Sequence, residues 1–107
     1  MSSGRRVAIV GLGVNNQPLV PFFLDQPEVD LIVADRKEAS LVYQLLTQMG
    51  VSPGTVKVLS GPNYLGQLGQ IPDLTEVYVT PGMPKDLPEF LQLVGRGVTL
   101  TSETDLF

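Results

Sequence analysis

The sequence predicts an α/β fold, a doubly wound five-stranded parallel sheet in one domain over residues 1–107. Short, continuous apolar runs are spaced along the chain, which is typical of strands covered on both faces. Amphipathic helical patterns of about ten residues lie between these runs, and this alternation indicates βαβ units. Right-handed crossovers then favour helices on both faces, and we expect the strand order 3-2-1-4-5.

The five expected strands are β-branched runs that end at turn residues. They cover residues 7–10, 31–34, 56–58, 77–79 and 98–100. The first stops at Gly11, the second at Asp35 and the fourth before Thr80. The residues after these three strands therefore belong to loops at the carboxyl edge of the sheet.

Three helices are expected, over residues 16–24, 39–49 and 86–94. Gly50 and Gly95 are the expected stops of the second and third, and Asp86 is a candidate N-cap. The glycine- and proline-rich stretch 61–72 predicts a loop, with a short helical turn around residues 65–68.

The composition excludes several kinds of chemistry. Cysteine and histidine are absent, so disulfides, thiolate metal sites, histidine-ligated zinc and a Ser-His-Asp triad are ruled out. Seven basic against eleven acidic residues give a net charge of −4, which disfavours a nucleic-acid partner. No apolar segment is long enough for a membrane span, and the lack of cysteine is compatible with a cytoplasmic location.

The first strand runs into a glycine loop followed by a helix. Gly11 suits a tight turn, and Gly13 would let a phosphate approach the backbone. Free backbone N–H groups that could face this anion belong to Val14, Asn15 and Asn16. Strand, glycine loop and helix in this order predict a Rossmann-like nucleotide site, although both glycines could simply make the turn.

The loops after the second and fourth strands are the other candidate site segments. Asp35 lies where a Rossmann acid would hold a ribose or base, while Arg36 or Lys37 could stack on a base or meet a phosphate. The alternative is a charged turn that only caps the next helix. After the fourth strand the chain reads Thr80, Pro81 and Gly82, which could flank a ligand or make only a turn. No catalytic residue, metal site or Walker A motif is predicted, so the pattern indicates a binding module.

Three segments together resemble the N-terminal domain of the Mur ligase family. They are VGLGVNN at 10–16, VTPGMP at 79–84 and SETDLF at 102–107. The corresponding family patterns are G-x-G-x-[ST]-G, [ST]-P-G-[IV]-P and S-E-x-E-L-F, so Asn15 stands in place of Ser or Thr, Asn16 in place of Gly, and Met83 in place of Ile or Val.

The resemblance implies a parent enzyme of peptidoglycan precursor synthesis, an ATP-dependent, amide-forming ligase that adds D-glutamate. This domain would bind the UDP moiety of UDP-N-acetylmuramoyl-L-alanine, precede a central ATPase domain and a C-terminal domain, and be inactive alone. ATP and magnesium would belong to the central domain.

By resemblance, the diphosphate would lie at Gly11 and at residues 13–16, and the uracil and uridine at 35–37 and 80–82. A NAD(P)-binding domain of a dehydrogenase or regulatory protein, and an α/β interaction domain without a nucleotide, remain alternatives.

Overall fold

The sheet is parallel throughout and has five strands in the order β3-β2-β1-β4-β5, which confirms the predicted fold class and order. The computed structural model describes residues 5–12, 16–26, 28–80, 83–84 and 86–101. The strands are β1 (Arg5–Val10), β2 (Val29–Asp35), β3 (Lys57–Ser60), β4 (Glu76–Val79) and β5 (Thr99–Thr101).

Within the described residues, four α-helices cover the two faces of the sheet. Helices α1 (Leu19–Leu24) and α2 (Ala39–Gln48) pack on one face, and α3 (Tyr64–Leu68) and α4 (Pro88–Gly95) on the other. Side chains of β1 alternate between the two resulting cores because successive strand residues point to opposite faces. A short 3-10 turn at Pro53–Thr55, which the sequence pattern did not predict, precedes β3.

Helix α1 begins three residues later than predicted. Its first residue is Leu19, and Asn16 to Pro18 form a turn before it. This start places Pro21 in the first helical turn, where a backbone N–H would have no partner within the helix. A proline in the helix interior would remove a backbone hydrogen bond, and the later start avoids this at Pro21.

The last helix ends within one residue of the prediction, but its capping residues differ from those predicted. The N-cap of α4 is Leu87 rather than Asp86, because Pro88 takes the first helical position, which its fixed φ suits. Gly95 is the last residue of the helix and Arg96 its C-cap, so the glycine that follows the helix end is Gly97: its φ is +90°, and the Val98 N–H donates to the Leu93 carbonyl at 3.1 Å. This six-to-one bond belongs to a Schellman motif, which places the glycine beyond the last helical residues. The short helix predicted around 65–68 and the stop at Gly50 are confirmed.

Candidate functional site

The carboxyl ends of β1, β2 and β4 lie level at one edge of the sheet. Val10 is in register with Ala34 on one side and with Val79 on the other. The chain after β1 goes to the α1 face and the chain after β4 goes to the α4 face. A crevice between two such strands is the usual ligand position in open parallel sheets. The three predicted site segments therefore begin at the same crevice.

Gly11 makes the tight turn that was predicted after β1. Its φ is +84°, and its N–H donates to the Ala34 carbonyl at 2.7 Å. A Cβ placed on Gly11 would lie 3.1 Å from Cγ2 of Thr80, which is closer than an ordinary contact. Gly11 is thus required both by backbone conformation and by the approach of the loop after β4.

Asp35 is buried and is bound by protein groups on both carboxylate oxygens. Oδ2 accepts a hydrogen bond from the Leu12 N–H at 2.6 Å, and Oδ1 accepts one from the Lys37 N–H at 2.9 Å. The ammonium group of Lys37 lies 3.7 Å from Oδ1. The carboxylate therefore ties the turn after β1 to the turn after β2.

The Asn16 side chain is hydrogen-bonded to the end of β1 and to the Gly11 turn. The side chain is fully buried, and its Nδ2 donates to the carbonyls of Val10 at 3.0 Å and Gly11 at 2.9 Å. Oδ1 of Asn16 is buried without a hydrogen-bond partner. These two hydrogen bonds depend on the asparagine side chain, since a glycine at this position has no side-chain donor for the two carbonyls.

Arg36 provides a solvent-exposed cation in the turn after β2. Its side chain is exposed and makes no hydrogen bond or ion pair within the described residues, and the neighbouring Lys37 side chain is half exposed. The guanidinium groups elsewhere in this part of the chain are held by carboxylates or backbone carbonyls, as at Arg5, Arg6 and Arg96.

Tyr64 lies close to the turn after β2, and the sequence patterns assign it no part in the site. It begins α3, directly after the turn at the end of β3, and its hydroxyl oxygen lies 4.0 Å from Sδ of Met83. Burial, and then the nearby Asp35 carboxylate, raise the pKa of the Tyr64 hydroxyl, while Arg36 lowers it. The position could have been suspected from the Ser60-Gly61 turn after the third strand, but not the contact with Met83.

The remaining predicted site residues, Gly13, Val14, Asn15, Pro81 and Gly82, lie outside the described residues, as does the segment 102–107. Across the part of the chain that the structure describes, no group of three or more acidic residues is arranged to hold a metal ion. The same residues contain no helix long and apolar enough to cross a membrane.

The sheet order and the glycine turn at the β1–β4 crevice define the domain as a Rossmann-like α/β domain. No protein-family model matches the chain. It is similar to proteins named UDP-N-acetylmuramoylalanine–D-glutamate ligase, with 34% identity over 103 residues in Ruminiclostridium cellulolyticum and 30% over 106 residues in Clostridium botulinum strain Hall. Each match covers 96% of this chain and 21% of the relative.

The chain is homologous to the N-terminal region of these Mur ligases, which confirms the resemblance predicted from the three motifs. It spans about a fifth of the length of the curated relatives that it matches.

Proposed function

We propose that this domain binds the UDP moiety of UDP-N-acetylmuramoyl-L-alanine, within a parent ligase that adds D-glutamate to that substrate. The observation that carries the proposal is the meeting of the Gly11 turn, the Asp35–Lys37 turn and Thr80 at one crevice, in a homologue of these ligases. An anion at the glycine loop would meet backbone N–H groups rather than a carboxylate, because Asp35 faces inward to Leu12 and Lys37.

The three segments take different parts of the ligand. The diphosphate lies along residues 11–16, and the uridine lies between 35–37 and 80–82. Because Asp35 is buried and joins two turns, the charged contact to the nucleotide falls to the exposed Arg36. ATP and magnesium belong to the parent's central domain, which forms an acyl phosphate on the substrate carboxylate before the amide. This domain contributes binding only.

Thermal unfolding with single ligands tests the proposal. The chain is heated with UDP-N-acetylmuramoyl-L-alanine, UDP, UMP or NADH, each at millimolar concentration. A ligand at 100 times its Kd adds about 2.7 kcal/mol, which raises the Tm of a domain this size by several degrees. A shift with the uridine ligands and none with NADH is expected. A shift with NADH alone would instead support a dinucleotide-binding domain, and no shift with any of the four contradicts nucleotide binding by this domain.

Two variants and a matched control locate the ligand. Gly13→Asp places a carboxylate at the predicted phosphate position and is expected to abolish UDP binding. Arg36→Ala is expected to weaken UDP binding by at least about tenfold, since a charge-assisted hydrogen bond is worth about 1.5 to 3 kcal/mol. Lys57→Ala removes the same charge at the start of β3, away from the crevice, and should leave affinity unchanged. If Gly13→Asp binds UDP with the affinity of the wild-type chain, the diphosphate does not lie at the glycine loop.

A further inference from the structure

Tyr64 and Met83 together span the crevice on the α3/α4 face of the sheet. Ser60, the last residue of β3, is in register with Asp35 at the end of β2, and Tyr64 follows Ser60 by four residues. Met83 follows β4. In the strand order β3-β2-β1-β4 the contact between these two side chains therefore crosses the carboxyl ends of β2 and β1.

The segment that carries Tyr64 is fixed to the Asp35–Lys37 turn. The N–H of Gly61 donates to the carbonyl of Lys37 at 3.2 Å, and the N–H of Tyr64 donates to the carbonyl of Gly61 at 3.2 Å. The Tyr64 side chain is 7% exposed and is part of the core under α3 and α4. Its position beside the crevice is thus set before any ligand arrives.

The hydroxyl of Tyr64 has donor capacity that the protein does not use well. Its partner is the thioether of Met83 at 4.0 Å, and a thioether is a weak acceptor. Since burial and the Asp35 charge raise its pKa, the hydroxyl keeps its proton at neutral pH. A buried hydroxyl without a strong acceptor gains more from an incoming oxygen than an exposed one, because it has already lost its water.

We propose that Tyr64 is a ligand-binding residue of this site, whose hydroxyl donates a hydrogen bond to an oxygen of the nucleoside part of the bound nucleotide. The inference rests on the proposed binding of UDP. The nucleoside is favoured over the diphosphate because Tyr64 lies beside the end of β2, whereas the glycine loop that would hold the diphosphate follows β1 on the α1 face. The ligand oxygen then replaces the Met83 thioether as the acceptor of the Tyr64 hydroxyl.

Calorimetric titration of the intact chain with UDP and with UMP tests the proposal. Tyr64→Phe deletes only the hydroxyl and is expected to weaken both ligands by the same factor, about 2- to 10-fold for one neutral hydrogen bond. Tyr78→Phe is the matched control: Tyr78 is equally buried, packs on the opposite face of the sheet, and its hydroxyl donates to Glu76 at 3.2 Å. Its UDP and UMP affinities should equal those of the wild type.

Met83→Leu completes the set, because it removes the sulfur and keeps the apolar packing. It should weaken UDP binding less than Tyr64→Phe does, and a loss as large as that of Tyr64→Phe would overturn the proposal by showing that packing of the pair matters rather than the hydroxyl. Wild-type affinity in Tyr64→Phe, or an equal loss in Tyr78→Phe, would also overturn it while leaving UDP binding intact. If the wild type binds neither UDP nor UMP, the proposed function itself fails.

Discussion

The Leu12 N–H donates to Oδ2 of Asp35 at 2.6 Å, joining two turns that are 23 residues apart in the chain. The other carboxylate oxygen accepts the Lys37 N–H, so one buried side chain sets the distance between the glycine turn and the turn after β2. The acidic residue at the end of the second strand thereby shapes the crevice through the backbone. Its nearest cation, Lys37, stays half exposed on the solvent side.

We expect Asp35→Asn to destabilise the domain by about 1 to 3 kcal/mol. An asparagine has one oxygen and one NH₂ group, so one of the two backbone N–H groups loses its acceptor. The Tm should fall by at least about 4 °C. Asp30→Asn is the control, since Asp30 is 66% exposed and forms a surface pair with Arg6, which is worth about 1 kcal/mol or less. Equal losses in the two variants would contradict the tie between the turns.

Gly11→Ala should cost more than Gly50→Ala. Both glycines have positive φ, +84° and +77°, so both substitutions carry a backbone penalty of about 1 to 2 kcal/mol. Only at Gly11 would the new Cβ press on Thr80, at 3.1 Å from Cγ2, whereas nothing lies within 4 Å at Gly50. Urea unfolding measures the difference, and Thr80→Ser, which removes Cγ2, should recover part of the extra loss in the double variant. Equal costs would show that Thr80 gives way freely.

Asn16→Ala is expected to lower the free energy of unfolding by about 1 to 3 kcal/mol, because the Gly11 carbonyl loses the donor that satisfies it. The Val10 carbonyl keeps the N–H of Thr80 at 3.2 Å. Asn16→Asp should be worse at neutral pH, since a carboxylate would face two carbonyl oxygens.

The penalty of Asn16→Asp should shrink on acidification, when the carboxyl group is protonated and can donate. Folding would raise the pKa of this carboxyl above its unfolded value, so stability returns as the pH falls through the folded pKa. Chemical unfolding at pH 4 and pH 7 measures this. If Asn16→Asp is as stable as Asn16→Ala at both pH values, the side chain at position 16 does not face the Val10 and Gly11 carbonyls.

The domain should lose stability in alkaline solution. Burial raises the pKa of both Tyr64 and Tyr78 in the folded state, and the Glu76 charge adds to the effect at Tyr78. The folded chain then holds protons that the unfolded chain releases, so the free energy of unfolding falls as the pH rises above about 10. Urea unfolding between pH 8 and pH 11 measures the fall. The fall in the free energy of unfolding should be smaller in Tyr64→Phe and in Tyr78→Phe. The same fall in both variants as in the wild type would contradict the raised pKa values of these tyrosines.

Local pattern was sufficient for most of the fold. The run at residues 7–10 lies in a central strand because it is apolar on both faces, and the pattern of α2 with Gly50 behind it defines a helix and its end. Local pattern was insufficient at α1 and α4. Their first residues depend on where Pro21 and Pro88 can lie in a first turn, and the last turn of α4 depends on a bond that reaches Val98.

The sequence by itself determined the parallel α/β sheet, the glycine turn after the first strand and the homology to the Mur ligases, because strand periodicity and short motifs are encoded in neighbouring residues. The tertiary structure alone decided what the polar side chains do at the crevice. Asp35 faces Leu12, and Tyr64 meets Met83, only because the sheet places the ends of separate strands side by side. Such contacts join residues about 20 positions apart, and their geometry depends on strand register, which local preferences do not specify.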